Sequence, residues 1–229
     1  MTDRPKLSID IVSDVVCPWC YVGQKRLEAA IAAVPEVDVE IHWRPHQLDA
    51  TIPPEGKDRK RYMIDKFGSA ERVLAMHERI TEAGLAEGIK FDFAAIKISP
   101  NTLDAHRVLR WAGTAGGAIQ NTLKRRLLHL YFEEGVNIGE HSVLIEAARD
   151  AGMDASIVET LLPTDADVAE VRTEIETAAR MGVTGVPCFL FEGKYAVVGA
   201  QDSATLADAI RQIAGAKARG ELETAASLS

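Results

Sequence analysis

Apolar and polar residues alternate in two stretches near the start of the chain, with an amphipathic segment between them. Residues 6–16, "KLSIDIVSDVV", alternate before ending in valines, which predicts a strand that stops just before Cys17. Residues 18–33 instead place apolar side chains at helical spacing, with Pro18 at the first helical position. Residues 37–45, "VDVEIHWRP", alternate again. The chain therefore begins with a predicted strand–helix–strand unit.

The central part of the chain, residues 57–181, changes to the period of helices. Its predicted helices are bounded by glycines and by polar residues that favour helix starts. The first lies between Ser69 and Gly84, the second begins at Asn101, and the third contains Ile119 and Leu130 and ends before Gly135. The remaining three are predicted from Ser142 to Gly152, from Asp154 to Leu162 and from Thr164 to Met181. Asn101 with Asp104, and Thr164 with Asp167, have the spacing of capping boxes. We therefore expect an all-helical block interrupted by loops.

Strand patterns return near the C-terminus. "PCFLF" and "YAVVGA" are short β-rich runs, and the Glu192-Gly193-Lys194 segment between them predicts a tight hairpin. Residues 205–214 again have helical spacing. The segment after Gly215 is rich in Ala and Glu, and we expect it to be a loosely ordered tail.

The order of these elements matches the layout of a thioredoxin fold with an insertion. Residues 1–56 and 182–215 are predicted to form one discontinuous α/β domain, in which a strand–helix–strand unit and a strand–strand–helix unit share a sheet. Residues 57–181 form the predicted helical insertion, and residues 216–229 the predicted flexible tail.

Composition narrows the classes of function. The net charge is −8, and Lys and Arg are spread along the chain, so we expect no nucleic-acid-binding surface. No apolar run approaches the length that spans a membrane, and the polar start "MTDRPKLSID" lacks the apolar core of a secretory signal. A cytoplasmic location is the simplest expectation, although a mature secreted chain would look the same.

Two of the three cysteines, Cys17 and Cys20, lie two residues apart at the start of the first predicted helix. Three alternatives are a redox centre, half of a metal site and two small core residues. A zinc site needs about four ligands, and no second CxxC or close His pair is present, so we expect no metal. The first turn of a helix brings both sulfurs within bonding range, which favours thiol–disulfide exchange.

The roles of the two thiols follow from their positions on the predicted helix. Cys17 lies at the helix N-terminus, where unpaired N–H groups and the helix dipole favour an anion, so we expect its pKa to be lowered and Cys17 to attack. Cys20, one turn further in, is expected to be more buried and to resolve the mixed disulfide. Pro18 lacks the N–H that a first-turn position would leave unpaired, and Trp19 offers an apolar face for a substrate.

Five stretches resemble a known family: "SDVVCPWCYVGQKRLE", "WRPHQL", "NTLDAHRV", "YFEEGVNI" and "GVTGVPCFLFEGKYAVVGAQ", which span residues 13–201. They are similar to DsbA-like thioredoxin-fold oxidoreductases of the FrnE branch, related to 2-hydroxychromene-2-carboxylate isomerases and kappa-class glutathione transferases. The resemblance implies that Pro187 is cis and packs opposite the CxxC, and that the backbone of Val186 lies beside the sulfurs. It also implies that the partners are protein thiols or disulfides, or glutathione, and that the reaction requires no dissociable cofactor.

Two positions depart from the resemblance. Related strands often carry a buried carboxylate six residues before the first cysteine, but this position is Ile11, with Asp10 or Asp14 as substitutes. The residue after the proline is Cys188, which is either a small buried strand residue or an auxiliary thiol. His106 is a further auxiliary candidate, with structural packing as its simpler interpretation.

Two other functions remain open. A glutathione-dependent isomerase or transferase is disfavoured, because that branch typically has a serine in place of Cys17 and lacks the second cysteine. A holdase that binds unfolded chains without redox chemistry is the other alternative. The sequence also leaves a homodimer, the substrate and the direction of electron flow open.

Overall fold

The computed structural model describes residues 4–222, and its main sheet has four strands in the order β2-β1-β5-β6. The described strands are β1 (Lys6–Ser13), β2 (Asp38–Pro45), β3 (Lys57–Asp58), β4 (Ile98–Ser99), β5 (Cys188–Phe191) and β6 (Tyr195–Val198). β1 is parallel to β2 and antiparallel to β5, and β5 is antiparallel to β6. This topology confirms the predicted thioredoxin fold.

The helices of residues 4–222 account for most of the chain between and around these strands. They are α1 (Pro18–Ala32), α2 (Arg59–Phe67), α3 (Ala70–Ala86), α4 (Leu103–Ala115), α5 (Gly117–Phe132), α6 (His141–Asp150), α7 (Ala155–Leu161), α8 (Val168–Arg180) and α9 (Ser203–Ala218). None of them combines the length and the apolar character that crossing a bilayer requires.

The central strand β1 carries its alternating pattern into the core. Leu7, Ile9 and Ile11 are fully buried in one cluster with residues of α1 and α9. Val12 joins a different cluster with Cys188 and Ala178 of α8, because successive side chains of a strand point to opposite faces. The N-terminus of α1, with its cysteines, therefore starts at the end of a strand that is fixed on both faces.

Helix α5 is tied to the edge of the sheet by one buried amide. The Oε1 atom of Gln120 accepts a hydrogen bond from the backbone N–H of Trp43 at 3.0 Å. Its Nε2 donates to the carbonyls of Trp43 at 3.2 Å and of Leu109 at 3.1 Å. Because β2 is an edge strand, this side chain satisfies two backbone groups that no further strand reaches.

The expectation of an all-helical central block is wrong at one place. β3 and β4 pair antiparallel, with Lys57 opposite Ser99 and Asp58 opposite Ile98. Strands of two residues are too short for a period of two to show in the sequence. The residue bounds of the two predicted units stay a prediction.

Both predicted capping boxes are wrong, because the N-cap residues of the two helices are Thr102 and Asp167 and not Asn101 and Thr164. The Asn101 side chain accepts from the N–H of Leu103, and Asp104 pairs with side chains of α4 and α6. Thr164 lies in a turn, and the helix begins only after Asp167, whose carboxylate accepts from two side chains of α4.

Other predicted helix ends agree more closely with the structure. Ser69 and Asp154 are N-caps whose side chains accept backbone N–H groups of the first turn. The helix predicted from Ser142 starts one residue earlier, at His141. Gly152, where that helix was predicted to end, has a positive φ of 91°.

The predicted C-terminal hairpin is confirmed, and the predicted tail is partly wrong. Phe191 pairs with Tyr195, and in the three-residue connection between them Glu192 and Gly193 have positive φ, 53° and 67°. Helix α9 continues through Ala218, so the first three residues of the predicted tail are helical. Residues 223–229 of that tail lie outside the described residues.

We expect Gln120→Leu to lower the free energy of unfolding by about 2–4 kcal/mol, because it leaves buried backbone groups of Trp43 without partners. Urea unfolding followed by circular dichroism measures this loss. The matched control is Gln212→Leu on the exposed face of α9, for which we expect a change within about 0.5 kcal/mol. Equal effects of both substitutions would contradict the anchoring role of Gln120.

Candidate active site

The two cysteines lie on the first turn of α1, as predicted. Cys17 is the N-cap residue, and Pro18 occupies the first helical position. The N–H of Cys20 donates to the Cys17 carbonyl at 3.0 Å, which closes this first turn. Both thiols are free, so the structure represents the reduced pair.

The segment before β5 reaches the cysteines from across the sheet. The Val186–Pro187 peptide bond is cis, and the Cys17 thiol donates to the Val186 carbonyl at an Sγ–O distance of 3.8 Å. Gly23 allows α1 to approach this segment, since a Cβ atom there would lie 2.9 Å from Cγ of Pro187. The structure therefore brings Val186 together with the CxxC, and the sequence pattern did not single out Gly23.

The two thiols differ in access. Cys17 is 5% exposed and lines a cavity of about 410 Å³, whereas Cys20 is 1% exposed. The half-buried side chains of Pro18 and Trp19 line the same cavity, as does Val186. Cys17 is therefore the thiol of the pair that faces the cavity.

The expectation that Cys17 has the lowered pKa is wrong in the reduced pair. The hydrogen bond with Cys20, burial and the charge of Cys20 raise the pKa of Cys17. Burial alone would raise the pKa of Cys20 too, but hydrogen bonds with Cys17 and Ser13 and the charge of Lys124 lower it overall. The two thiols titrate as a coupled pair, and their surroundings favour the thiolate on Cys20 over the thiolate on Cys17.

Asp14, and not Asp10, is the carboxylate buried behind the cysteines. Asp14 is fully buried, and its two oxygens accept the N–H groups of Val15 and Leu48, each at 2.8 Å. Asp10 instead pairs with Arg44 at 2.6 Å, where the arginine is about half exposed. The buried carboxylate thus lies in the loop three residues before Cys17 and not on the strand six residues before it.

His106 contacts this carboxylate and not the thiols. Its Nε2 lies 2.8 Å from the His46 carbonyl and 3.2 Å from Oδ1 of Asp14. Burial alone would raise the pKa of Asp14, but the hydrogen bond and charge of His106, the Leu48 N–H and the charge of Lys124 lower it. His106 therefore helps to keep Asp14 ionised.

Lys124 is a site residue that the sequence pattern did not single out. It lies on the buried face of α5, next to Leu123 and one turn before Leu127, and is 1% exposed. Burial lowers its pKa to about 8, although the charges of Cys20 and Asp14 oppose this shift. A lysine next to Leu123 and one turn before Leu127 was the signal that could have revealed it.

The cavity in front of Cys17 is walled mainly by apolar side chains of α2, α3, the end of α5 and neighbouring loops. These include Met63, Phe67, Met76, Ile80, Phe93 and Tyr131. Arg59 adds a buried guanidinium, which donates to the Ser99 hydroxyl at 3.3 Å. The central block thus covers one side of the cysteines and leaves space for an apolar group beside the outer thiol.

Cys188 does not join the pair. It is 1% exposed and packs with Val12, Ala178 and Leu190. Burial raises the pKa of its thiol. Within residues 4–222, no three His, Cys, Asp or Glu side chains converge as metal ligands.

Three of the solved structures that resemble this chain cover nearly all of it. A probable DsbA oxidoreductase from Streptomyces coelicolor is 29% identical, with a TM-score of 0.80 over 97% of this chain and 94% of that one. A 2-hydroxychromene-2-carboxylate isomerase is 16% identical, with a TM-score of 0.69 over 95% of this chain and all of that one. The cytosolic disulfide reductase DsbM from Pseudomonas aeruginosa, solved with GSH, is 19% identical, with a TM-score of 0.59 over 93% and 100%. At these identities, the last two show a shared fold.

The family model of the DSBA-like thioredoxin domain matches residues 8–211, which include both cysteines, the Val186–Pro187 segment and the whole central block. The match agrees with the sheet order and with the position of α1 at the end of β1. The chain belongs to the DSBA-like thioredoxin domain family.

Proposed function

We propose that this protein is a thiol–disulfide oxidoreductase that exchanges disulfides with protein or small thiol partners through Cys17 and Cys20. The observation that carries the proposal is the pair itself. Both sulfurs lie on the first turn of α1, and the outer one opens to a cavity beside the Val186 carbonyl. This arrangement supplies an attacking thiol, a resolving thiol and a place for the partner.

The proposed reaction has two displacements. The Cys17 thiolate attacks a partner disulfide, forming a mixed disulfide and releasing one partner sulfur as a thiolate. Cys20 then loses its proton and attacks the Cys17 sulfur, which releases the second partner thiolate and leaves the Cys17–Cys20 disulfide. The partner gains two electrons and the pair loses two; the reverse sequence oxidises a dithiol.

We assign partner contacts to Pro18, Trp19, Val186 and Pro187. Trp19 offers apolar surface, and the backbone next to the cis bond offers hydrogen-bonding groups to an extended chain. The DsbM structure, named as a cytosolic reductase and determined with glutathione, supports glutathione as a co-substrate and a cytoplasmic location. The scheme needs no dissociable cofactor.

A glutathione-dependent isomerase is the second candidate, favoured by the apolar cavity beside Cys17 and by the fold shared with 2-hydroxychromene-2-carboxylate isomerase. Such a reaction needs one thiol and no resolving cysteine. Glutathione-dependent turnover that survives in Cys20→Ser would therefore favour it. Protection against aggregation that survives loss of both cysteines would instead favour a holdase.

Substitution of each cysteine tests the proposed roles. With a peptide disulfide, we expect Cys20→Ser to accumulate a mixed disulfide on Cys17, because nothing resolves it, and Cys17→Ser to form no adduct. Intact-mass spectrometry after acid quenching detects these species. Cys188→Ala is the matched control and is expected to keep turnover within about twofold, because Cys188 packs in a separate cluster. Adduct formation on Cys20 in Cys17→Ser would reverse the assignment.

The partner-binding role of Trp19 has a kinetic signature. We expect Trp19→Ala to raise KM for a peptide disulfide about tenfold, equivalent to about 1.4 kcal/mol of lost contact, with kcat changed less than about threefold. Steady-state kinetics separates the two constants. Leu74→Ala on α3, whose side chain is 60% exposed, is the control. A fall in kcat with an unchanged KM would show that Trp19 does not bind the partner.

A further inference from the structure

A second cavity, of about 200 Å³, lies between the sheet and the central helical block. Its wall is formed by the last residue of β1, by β2 and by parts of α4, α5 and α8. This rear cavity shares no lining residue with the cavity in front of Cys17, and neither Cys17 nor Cys20 lines it. It is therefore a separate feature of the molecule, and the exchange chemistry does not account for it.

Positively charged and basic side chains dominate the charge of the rear cavity. Among the lining residues, the basic ones are His42, Arg44, His106, Arg110 and Lys124, and the acidic one is Glu174. Arg110 and Glu174 pair with each other and are about a third exposed. They mark the side from which a solute reaches the cavity.

Two of these cations already have carboxylate partners. Arg44 pairs with Asp10 at 2.6 Å. Arg110 pairs with Glu174 and, at 3.2 Å, with Asp167. These pairs neutralise the outer part of the lining and leave the innermost cation to be explained.

Lys124 is that innermost cation. Its side chain is 1% exposed, and within residues 4–222 no carboxylate oxygen lies within 4.0 Å of its nitrogen. The nitrogen lies 5.1 Å from the centre of the Trp43 ring, a weaker partner than a carboxylate. Burial lowers the pKa of Lys124 to about 8, so the amine is still mainly protonated at pH 7.

The buried carboxylate of Asp14 does not take this role. Its two oxygens accept the N–H groups of Val15 and Leu48, each at 2.8 Å, and Oδ1 also lies 3.2 Å from Nε2 of His106. The charge of Asp14 raises the pKa of Lys124, but no ion pair joins the two groups. A buried ammonium without an ion-pair partner is costly, and the rear cavity provides space for a counter-ion beside it.

We propose that the rear cavity binds a small oxyanion, inorganic phosphate or a short carboxylate, with the Lys124 ammonium as its main ligand. The volume limits the class of ligand. One water needs about 10–15 Å³ of such space, so a solute as large as several waters fits. Cavities that enclose drug-sized ligands measure about 300–1,000 Å³, so a larger metabolite does not fit.

Isothermal titration calorimetry of the full-length protein at pH 7.0 tests this site, with sodium phosphate and sodium acetate as probes. The buffer anion is gluconate, which is too large for the cavity. We expect at least one probe to bind at a single site with a Kd of about 0.1–1 mM. The tighter probe identifies the oxyanion as a phosphate or a carboxylate, and absence of binding by both overturns the proposal.

Two variants of α5 connect the binding to Lys124. We expect Lys124→Met to raise Kd at least tenfold, and Arg125→Met, which removes a half-exposed charge from the same helix, to keep Kd within about twofold. An unchanged Kd in Lys124→Met, or equal weakening in both variants, overturns the site.

Thermal unfolding separates loss of the ligand from loss of the fold. Without the anion, we expect Lys124→Met to have a Tm equal to or above that of the wild type, because the substitution removes a buried charge that has no ion-pair partner. A probe concentration of 100 times the wild-type Kd should raise the wild-type Tm by about 5 °C more than that of Lys124→Met. Equal increases in Tm would show that the anion acts without Lys124 and would overturn the site.

A variant with the opposite sign leaves Lys124 in place. Glu174→Gln removes the acidic group of the lining and frees Arg110 from one of its partners. We expect it to lower Kd about threefold, because less negative charge faces the anion. An unchanged or raised Kd would place the anion outside the rear cavity and overturn the proposal.

The site does not rest on the proposed exchange function, and a variant without the cysteine pair separates the two. We expect Cys17→Ser with Cys20→Ser to keep Kd within about threefold, because neither residue lines the rear cavity. Loss of binding in this double variant overturns the independent site and leaves the exchange function standing.

Discussion

Two sulfur atoms on one helical turn have opposite requirements, and much of the structure meets them. In the proposed exchange, Cys17 must reach a partner, whereas Cys20 must be shielded from the partner and still lose a proton. The reduced thiols reflect this division, since Cys17 lines the front cavity and Cys20 lies behind it beside Ser13. The fold therefore provides an apolar entrance on one side of the turn and a polar interior on the other.

The central helical block contributes to both sides. Its helices α2 and α3 wall the front cavity, and α5 carries Lys124 to the rear. The Gln120 amide holds α5 against the edge strand β2, one turn before Lys124. Helix α5 is thus anchored to the sheet by the Gln120 side chain and carries the buried Lys124 side chain to the rear of the site.

The main sheet and the position of Cys17 could be predicted from the sequence, whereas the buried contacts inside the site could not. Alternation marked β1 and β2, and the CxxC after a strand marked the start of α1, because these signals are local. β3 and β4 were missed because two residues show no period. At both predicted capping boxes the carboxylates pair instead with side chains distant in the sequence, Asp104 with His141 and Asp167 with Trp111.

The buried charges were missed for a related reason. Lys124 lies more than a hundred residues from Cys20, and a lysine among leucines gives no local indication of what it faces. Asp14 could be named only as one of two options, since the choice depends on the Leu48 and His106 contacts. Long-range contacts of this kind decide the chemistry of the site and are absent from any local pattern.

The central claim is that Cys17 and Cys20 form a reversible disulfide, and equilibration of the full-length protein in glutathione buffers tests it most directly. At each redox potential of the buffer, free thiols are trapped by alkylation and counted by mass spectrometry. The account predicts one two-electron transition that involves Cys17 and Cys20 and falls between about −300 and −100 mV, the range of related dithiols. Free thiols at both Cys17 and Cys20 at every redox potential of the buffer would contradict the account.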